Sequence, residues 1–510
     1  MWTVHGSPLK ASGWTLAAVL LFSAGAHAQA PASVPDSSAN AAQPGYLAVP
    51  KLEGGPEHPV PIDLPYALRM VNASNPTIAI ARERVEAAYS RLRGAQALWL
   101  PDLWVGGNPD NYAFLPMFYH HDGNIQNAAG AVFPVTKNNF AFPVGTSLNL
   151  KVGEAVFGSR IARNLADAEN ARSRVTVNDV QLDVALTYFE LLRVYGALAV
   201  NAEALAKAIQ MQELAVSADR QGLGKTTADA NRARTEVGMR RQEKLDLEGQ
   251  AATVSARLAQ LLLLEPTVDL VPTDKNVLPI DLIAESSPLD ELVATGLMNR
   301  PELAESRSLV AAGLARWRQA RTAPLFPTLS VVYYGADFAG GSDRSTGSTG
   351  LSNWGGRDDF FAQAGWELKN LGFGDLARSR ETRAQYNAAR YHVSEVQAQV
   401  AAEVAAAAKL VATRRRSLSA AQETVRQAEE MWTRLSKAAF GIAGPARQYD
   451  PIEPLLAEQQ LHEARIRYLN AVIDYNRYQF RLYWALGQPP ECALPQATAK
   501  TVAVPVLPNQ

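Results

Sequence analysis

Two proline-free stretches, Arg160 to Gln221 and Leu376 to Phe440, constrain this chain more than any other feature. Each is about sixty residues long, against ~10–14 for an average globular helix. At about 1.5 Å per residue, either helix would run roughly 90 Å. Such a helix needs an apolar seam along its length. In the first stretch Val177, Val180, Val184, Tyr188, Leu191, Tyr195, Leu198, Ala202, Leu205 and Ile209 recur at steps of three and four, the rhythm of a coiled coil. Val393, Val396, Val400, Val404, Ala407 and Val411 repeat it at one constant offset, and Phe157-Gly158 and Phe373-Gly374 share that offset ahead of them. An early three, four, four step in both halves departs from a strict heptad and predicts locally altered supercoiling. The expectation is two copies of a very long helix, each with its own neighbours.

The 510 residues could hold several ordinary domains, but the repeat argues for one duplicated architecture. A net charge of −1 gives no polybasic footprint for nucleic acid. The single cysteine, Cys492, excludes an intrachain disulfide and a Cys-rich metal site. Residues 1–28 read as a secretory signal: Lys10, then an apolar core from Trp14 to Gly25, then Ala26-His27-Ala28 as the cleavage site. Gln29 and not a cysteine stands directly after the cut, so a lipid anchor of the usual kind is not expected. Beyond it no apolar run reaches the ~18 residues of a membrane helix. An exported protein without such a helix is a soluble periplasmic or extracellular protein, or an outer-membrane β-barrel.

Residues 29–63 read as a flexible lead segment, rich in Pro, Ala, Ser and Gly. Helical pattern follows from Leu64, interrupted at Asn75-Pro76, with Pro76 suited to a first helical turn. Strand-like chain is expected at about 100–106 and 142–153, where Val144, Leu148, Leu150 and Val152 alternate with Ser147, Asn149 and Lys151. It recurs at about 327–338 and 359–369, where Phe360, Ala362, Ala364, Trp366 and Leu368 alternate with Gln363, Glu367 and Lys369. Gly106 to Phe142, carrying His120-His121, and Gly340 to Asp359 read as loops. Long helices at 160–221 and 376–440 end in glycine-bearing turns, and helices return at 227–264 and 451–486. On the last of these Ile466, Leu469, Ile473, Asn476, Phe480 and Tyr483 form a seam. A first repeat thus spans 64–266 and a second 289–488, joined by a proline-punctuated connector, 267–288, and followed by a tail, 489–510. Four strands cannot close a barrel. An apolar face opposite a polar one suits a wet-lumened membrane barrel built from several chains, and equally a soluble sheet with one buried face.

The order of these marks resembles the outer membrane efflux protein (TolC) family over roughly Leu64 to Gln488. The marks are Asn75-Pro76 with Arg300-Pro301, Pro101 and Pro327 ahead of strands, the two Phe-Gly pairs, and glycine turns ahead of Asp229 and Asp450. The resemblance implies a mainly α fold with a small β part, made of two direct structural repeats. It implies a homotrimer in which long coiled-coil helical hairpins form an α-barrel tunnel. Four strands per chain would contribute to one twelve-stranded outer-membrane β-barrel set in outer-membrane lipid. It also implies partners: an inner-membrane pump and a periplasmic adaptor (membrane fusion protein). No enzyme, cofactor, metal or nucleic-acid partner is implied.

Asp450 and Glu453 are three residues apart, on one face at the start of the last helix. In the family, carboxylates just after this turn constrict the closed periplasmic entrance and attract cations. Arg447 and Tyr449 sit where partners that tie such a gate would stand, and Asp229 is the first-half counterpart. Acidic residues also favour a helix N-terminus simply through its exposed N–H groups. Pro445, Pro451 and Pro454 crowd the turn, which leaves open which carboxylate faces the lumen. Arg220, Gly222, Leu223 and Thr226 at the first tip, and Phe440, Gly441 and Ile442 at the second, are candidate adaptor contacts; a plain hairpin turn with a capping glycine is the alternative. Gly224-Lys225-Thr226 is not a P-loop, because Asp219 stands where the first glycine belongs. His120-His121-Asp122 lacks further partners for a metal and reads as a solvated loop.

The leading functional expectation is a passive outer-membrane exit duct for small molecules or drugs. A protein-secretion duct of an ATP-driven exporter, metal-ion efflux, or a periplasmic coiled-coil spacer or adaptor are the alternatives. Seven Met and seven His in the whole chain do not suggest a soft-metal tunnel. If the signal reading is right, N-terminal sequencing of the exported protein reads Gln29 as its first residue.

Overall fold

A computed structural model describes residues 60–100, 117–126, 128–220, 227–265, 267–274, 276–343, 355–439, 452–490 and 493. Chain order begins with strand β1 (Val60–Ile62), helices α1 (Leu64–Ser74) and α2 (Pro76–Ala97), then strands β2 (Met117–Gln126) and β3 (Val132–Lys151). Helix α3 (Val152–Arg220) and helix α4 (Thr227–Leu262) follow, then strand β4 (Leu270–Pro272). The same order then recurs as α5 (Leu289–Asn299), α6 (Pro301–Thr322), β5 (Thr328–Asp343), β6 (Gly355–Gly365), α7 (Phe373–Ala439) and α8 (Ile452–Ala485). Corresponding helices match in length: 11 residues for α1 and α5, 22 for α2 and α6, 69 against 67 for α3 and α7. None of the described helices is long and apolar enough to cross a membrane.

The two helix joints answer one geometric need with different chemistry. At the first, Asn75 ends α1 and caps α2, its Oδ1 accepting from the Thr77 N–H at 2.8 Å. Its Nδ2 donates to the Leu261 carbonyl at 2.8 Å and ties the joint to the end of α4. At the second, Arg300 makes no side-chain cap. Its guanidinium is 4% exposed, donates to Glu302 and Glu403, each at 2.8 Å, and stacks 4.1 Å from the Trp484 ring centroid.

Helix α3 is clasped by α1, α2, α4, α6 and α8. Tyr188, Phe189, Leu191 and Val194 are fully buried, and Phe189 meets Phe480 of α8 edge to face at 5.2 Å. Each such side chain contributes roughly 1.5–3 kcal/mol of transfer free energy. The expected seams hold on α7, at Val400, Val404 and Ala407, and on α8, at Leu469, Ile473, Asn476, Phe480 and Tyr483. On the distal part of α3 the seam differs from the expectation. The deeply buried stripe is Val194, Ala197, Asn201, Ala204, Ala208, Met211 and Ala215, while Ala202 is exposed. Partners on several sides select small residues and one asparagine over the larger Leu198, Leu205 and Ile209, which are only half-buried.

Four strands form one antiparallel sheet in the order β2-β3-β5-β6. Its register aligns the alternating faces. Leu148, Val331 and Ala362 form one row and Leu150, Leu329 and Ala364 another, while Asn149, Ser330 and Gln363 form a polar row between them. Ser330 Oγ donates to Asn149 Oδ1 at 2.7 Å. The strands are placed otherwise than the sequence suggested. The expected loop holding His120-His121 contains β2 and the first part of β3, with His120 opposite Asn138 and His121 opposite Lys137. The 340–359 loop is likewise shortened at both ends by β5 and β6. Ladder hydrogen bonds satisfy backbone whatever the side-chain alternation, so these segments pair without an alternating pattern. The expected 100–106 strand lies, beyond Leu100, outside the described residues.

At the other end of the strands, Val152 already belongs to α3, so Phe157-Gly158 lie inside that helix. Strand β6 stops at Gly365, leaving Trp366 and Leu368 exposed beyond it. Asn370, Leu371 and Gly372 then take left-handed backbone angles before Phe373 opens α7. Asp375 Oδ2 accepts from the Lys369 N–H at 2.9 Å and fastens this turn.

A second small sheet corrects the reading of 60–63 as flexible and of 267–288 as a bare connector. Strand β1 pairs in parallel with β4. Asn476 Oδ1 accepts from the Ile280 N–H at 2.8 Å, its Nδ2 donates to the Leu278 carbonyl at 2.8 Å, and Gln479 Oε1 accepts from the Ile283 N–H at 3.2 Å. The hydroxyls of Tyr188 and Tyr475 donate to Asp274 and Asp281.

Gly487 ends α8 at φ +79, where an added Cβ would lie 2.6 Å from the Asn299 carbonyl carbon. Gly94, inside α2, has open space around it. Gly487→Ala is therefore expected to cost more than about 2 kcal/mol, and Gly94→Ala to gain roughly 0.5–1 kcal/mol. Thermal unfolding of the two variants should move in opposite directions.

Candidate functional site

The sequence placed its candidate gate and adaptor contacts where α3 turns into α4 and α7 into α8. Asp450, Arg447, Tyr449, Gly222, Leu223, Thr226, Phe440, Gly441 and Ile442 lie outside the described residues. Glu453, Asp229 and Arg220 are described.

Two side-chain bridges fix the relation between the helices that follow the turns. Gln459 Nε2 of α8 donates to Glu236 Oε2 of α4 at 2.6 Å, and His462 Nε2 lies 3.2 Å from Glu243 Oε1. Residue numbers rise together along both helices, so α4 and α8 run parallel and start at the same end. Glu453 precedes Gln459 by six residues and Asp229 precedes Glu236 by seven. At about 1.5 Å per residue the two first turns are level to within one helical turn. The fold thus brings Asp229 and Glu453 to one end of the molecule.

Their environments differ. Asp229 is 8% exposed and pairs with Arg232 Nη1 at 3.7 Å in its own helix. It serves the start of α4, where a carboxylate complements the helix dipole. Glu453 is exposed in the first turn of α8. Arg220 is exposed in the last turn of α3, where a cation suits the dipole.

Behind these first turns lies a buried charged cluster that sequence reasoning missed. Arg240 of α4 donates to Glu236 and Glu243, each at 2.7 Å. Glu236 and Glu458 are almost fully buried, as is Asn201 of α3, whose Nδ2 donates to the Arg240 carbonyl at 2.9 Å. Burial pushes the Glu458 carboxyl up to about 7, with Glu236 adding to the rise against the pull of Arg240. Burial also lowers His462, assisted by Arg240 and opposed by Glu243. The signal in the sequence was polar residues standing on an apolar period: Glu458 and His462 share a face with Leu455, and Asn201 sits between Ala197 and Ala204.

Arg465 fastens three helices beside this cluster. Its guanidinium donates to Glu203 of α3 and, at 2.7 Å, to Glu429 of α7. Lys207 Nζ lies 2.7 Å from Glu203 and 5.2 Å from the Trp432 ring centroid. Burial alone would raise Glu203; hydrogen bonds from Arg465 and Lys207 outweigh it and hold the carboxyl at about 2. Among the described residues no group of three or more His, Cys, Asp or Glu is placed to hold a metal ion.

No family model matches the chain, and no curated protein matches it. Solved structures do. A membrane protein from Pseudomonas aeruginosa is 17% identical, with 83% of this chain and 93% of that chain covered, at a TM-score of 0.62. The outer-membrane channel OprN is 18% identical over 84% of this chain and 90% of its own, also at 0.62. CusC, which forms a transmembrane channel, is 17% identical over 83% and 92%, again at 0.62. The chain therefore has the fold of these outer-membrane channels.

Glu203 is depressed, so its stabilising contribution is full above its ordinary 4.5 and is lost as the pH falls toward about 2. Arg465→Met removes one of the two donors responsible. Acid unfolding followed by tryptophan fluorescence should then begin at a higher pH than in the parent.

Proposed function

We propose that this protein is a passive outer-membrane exit duct of a tripartite exporter, passing small molecules or drugs delivered by an inner-membrane pump through a periplasmic adaptor. The observation that carries this reading is the β2-β3-β5-β6 sheet. Its apolar rows and its polar row are in register, and its outer strands β2 and β6 each pair on one side only among the described residues. An unpaired edge is a liability that a barrel removes. Three copies, twelve strands in all, would close such a barrel with an apolar band toward lipid and a polar interior. Strands β3, with 20 residues, and β5, with 16, exceed the ~9–11 needed to cross a bilayer. The fold shared with OprN and CusC supports the same reading.

In this reading the recurrence of helix, helix, strand, strand, long helix and returning helix reflects two direct repeats. Their hairpins would line a periplasmic tunnel in the trimer. Its entrance lies at the shared start of α4 and α8, and the two tip turns face the adaptor. Arg220, Gly222, Leu223 and Thr226 belong to one contact, and Phe440, Gly441 and Ile442 to the other. Glu453, exposed on the first turn of α8, and Asp450 ahead of it supply the carboxylate ring. Arg447 and Tyr449 tie it, and Asp229 is committed instead to its own helix start. Transport energy comes from the partners, because a conduit of this kind works by pore dimensions and charge.

Single-channel conductance in a planar bilayer tests this. The detergent-purified protein should give a small cation-selective conductance, and Asp450→Ala/Glu453→Ala should raise it or abolish the selectivity. Conductance insensitive to the double substitution would keep the duct and remove the gate assignment. A soluble particle that never inserts would overturn the duct itself.

A further inference from the structure

The base of the β2-β3-β5-β6 sheet, where strands meet helices, exposes apolar side chains that the single chain leaves uncovered. Thr328 stands opposite Gly365, so the chain entering β5 past Leu325 and the chain leaving β6 through Trp366 and Leu368 lie at the same end of adjacent strands. Leu325 is 74% exposed, Trp366 and Leu368 63% each, Phe373 74% and Leu371 90%. Leu371 sits at φ +58, a left-handed backbone that is costly for a leucine, and gains little packing in return. The hydrogen bond from the Lys369 N–H to Asp375 holds the turn in that shape. Trp366 and Leu368 also continue the alternation of Ala362 and Ala364 past the end of β6.

A band of arginines follows this rim. On α6, Arg321, Arg318 and Arg316 stand four, seven and nine residues before Leu325; on α7, Arg378, Arg380 and Arg383 stand five, seven and ten residues after Phe373. At about 1.5 Å per residue, all six fall within about 6–15 Å of the rim along their helices. The two helices touch at this level: Trp317 stacks on Tyr386 at 5.9 Å, and the Arg383 guanidinium lies 5.8 Å from the Trp317 ring centroid. All six arginines are exposed, and none has a carboxylate partner among the described residues. Further along α7 the pattern reverses. Arg414 pairs with Asp474, Arg415 with Asp281 and Glu285, and Arg426 with Glu423 and Glu430. Carboxylates near the band are few and mostly engaged: Asp375 holds the turn and Glu381 accepts from Gln385 at 3.1 Å, which leaves Glu367.

An apolar rim beside unpaired cations has the chemistry of a surface that meets a charged lipid layer. We propose that the base of the sheet binds anionic phospholipid, with the rim among the acyl chains and the arginines on the headgroup phosphates. The planar guanidinium fork matches phosphate oxygens, and the long side-chain stem carries the charge away from the helix toward the headgroup. A headgroup layer is about 5–8 Å thick on each side of a bilayer, so Arg321 and Arg378, nearest the rim, take the first contacts and the others attract from behind. The duct reading sets which membrane surface this is, the periplasmic leaflet of the outer membrane; the lipid class does not depend on it.

Fluorescence quenching on the full-length protein in micelles of a nonionic detergent tests this, with brominated phosphatidylglycerol or brominated phosphatidylcholine as the added lipid. Trp366 is read as the difference between the parent and Trp366→Phe. Phosphatidylglycerol should quench it at a mole fraction about tenfold or more below that of phosphatidylcholine, since each cation at a membrane surface contributes up to about fivefold. Raising the salt from about 0.05 M to about 0.5 M should shrink that preference. Arg321→Gln/Arg378→Gln/Arg380→Gln should abolish it and leave the phosphatidylcholine curve in place. Should the triple variant fail to fold, Arg378→Gln alone should lower the preference by up to about fivefold. Equal quenching by the two lipids in the parent, or a preference that survives the substitutions, overturns the anionic-lipid assignment. Absence of Trp366 quenching by either lipid overturns lipid binding itself, as when a second copy of the chain covers the rim. Bilayer conductance recorded alongside separates the two readings. Conductance without a lipid preference removes this surface alone, whereas a preference without conductance keeps the surface and removes the duct.

Discussion

A helix as long as α3 depends on its neighbours. Its intrinsic propensity is modest, and its stability comes from burying apolar surface along its whole length. Here five other helices share that task, each over part of the span. The result is a broad buried surface. Close to α1 and α8 it is built from Tyr188, Phe189, Leu191 and Phe480, and further out from alanines that let the backbones approach. Helix α7 has fewer neighbours, α5, α6 and α8, and keeps a narrower seam centred on Val400, Val404 and Ala407.

The connector between the two halves is held by polar chemistry. Two tyrosine hydroxyls reach two aspartates, Asn476 and Gln479 supply backbone partners, and Arg415 reaches Asp281 and Glu285, both at 3.1 Å. Irregular chain carries backbone groups that helices would pair internally, and buried ones must find partners elsewhere. Side chains from α8 do that here. The bridges between α4 and α8 use the same vocabulary but leave Glu458 Oε2 and His462 Nδ1 without partners.

The sheet and the helical hairpins do different physical work. The sheet aligns apolar rows on one face with a polar row on the other, and its two edge strands pair on one side only among the described residues. The hairpins carry polar and charged groups toward a shared end.

The long helices, the returning helices, the joints at Asn75-Pro76 and Arg300-Pro301, and the seams of α7 and α8 were legible in the sequence. Proline placement and apolar period are local signals, and local physics decides them. The distal seam of α3 was not legible, because which face of a helix is most buried depends on how many partners surround it. All of β2 and the outer parts of β3, β5 and β6 were missed because strand pairing satisfies backbone without requiring alternation. Strand β1 was missed because only distant β4 gives those three residues a partner. The ionic cluster escaped for the same reason: Glu236, Arg240, Glu458 and His462 are ordinary helix-surface residues until packing buries them. Sequence alone therefore determined that these long helices exist and where most of them stop, though not that the first begins as early as Val152. Only the tertiary structure decided which polar groups lost their water, because desolvation belongs to the assembled helices and not to any one of them.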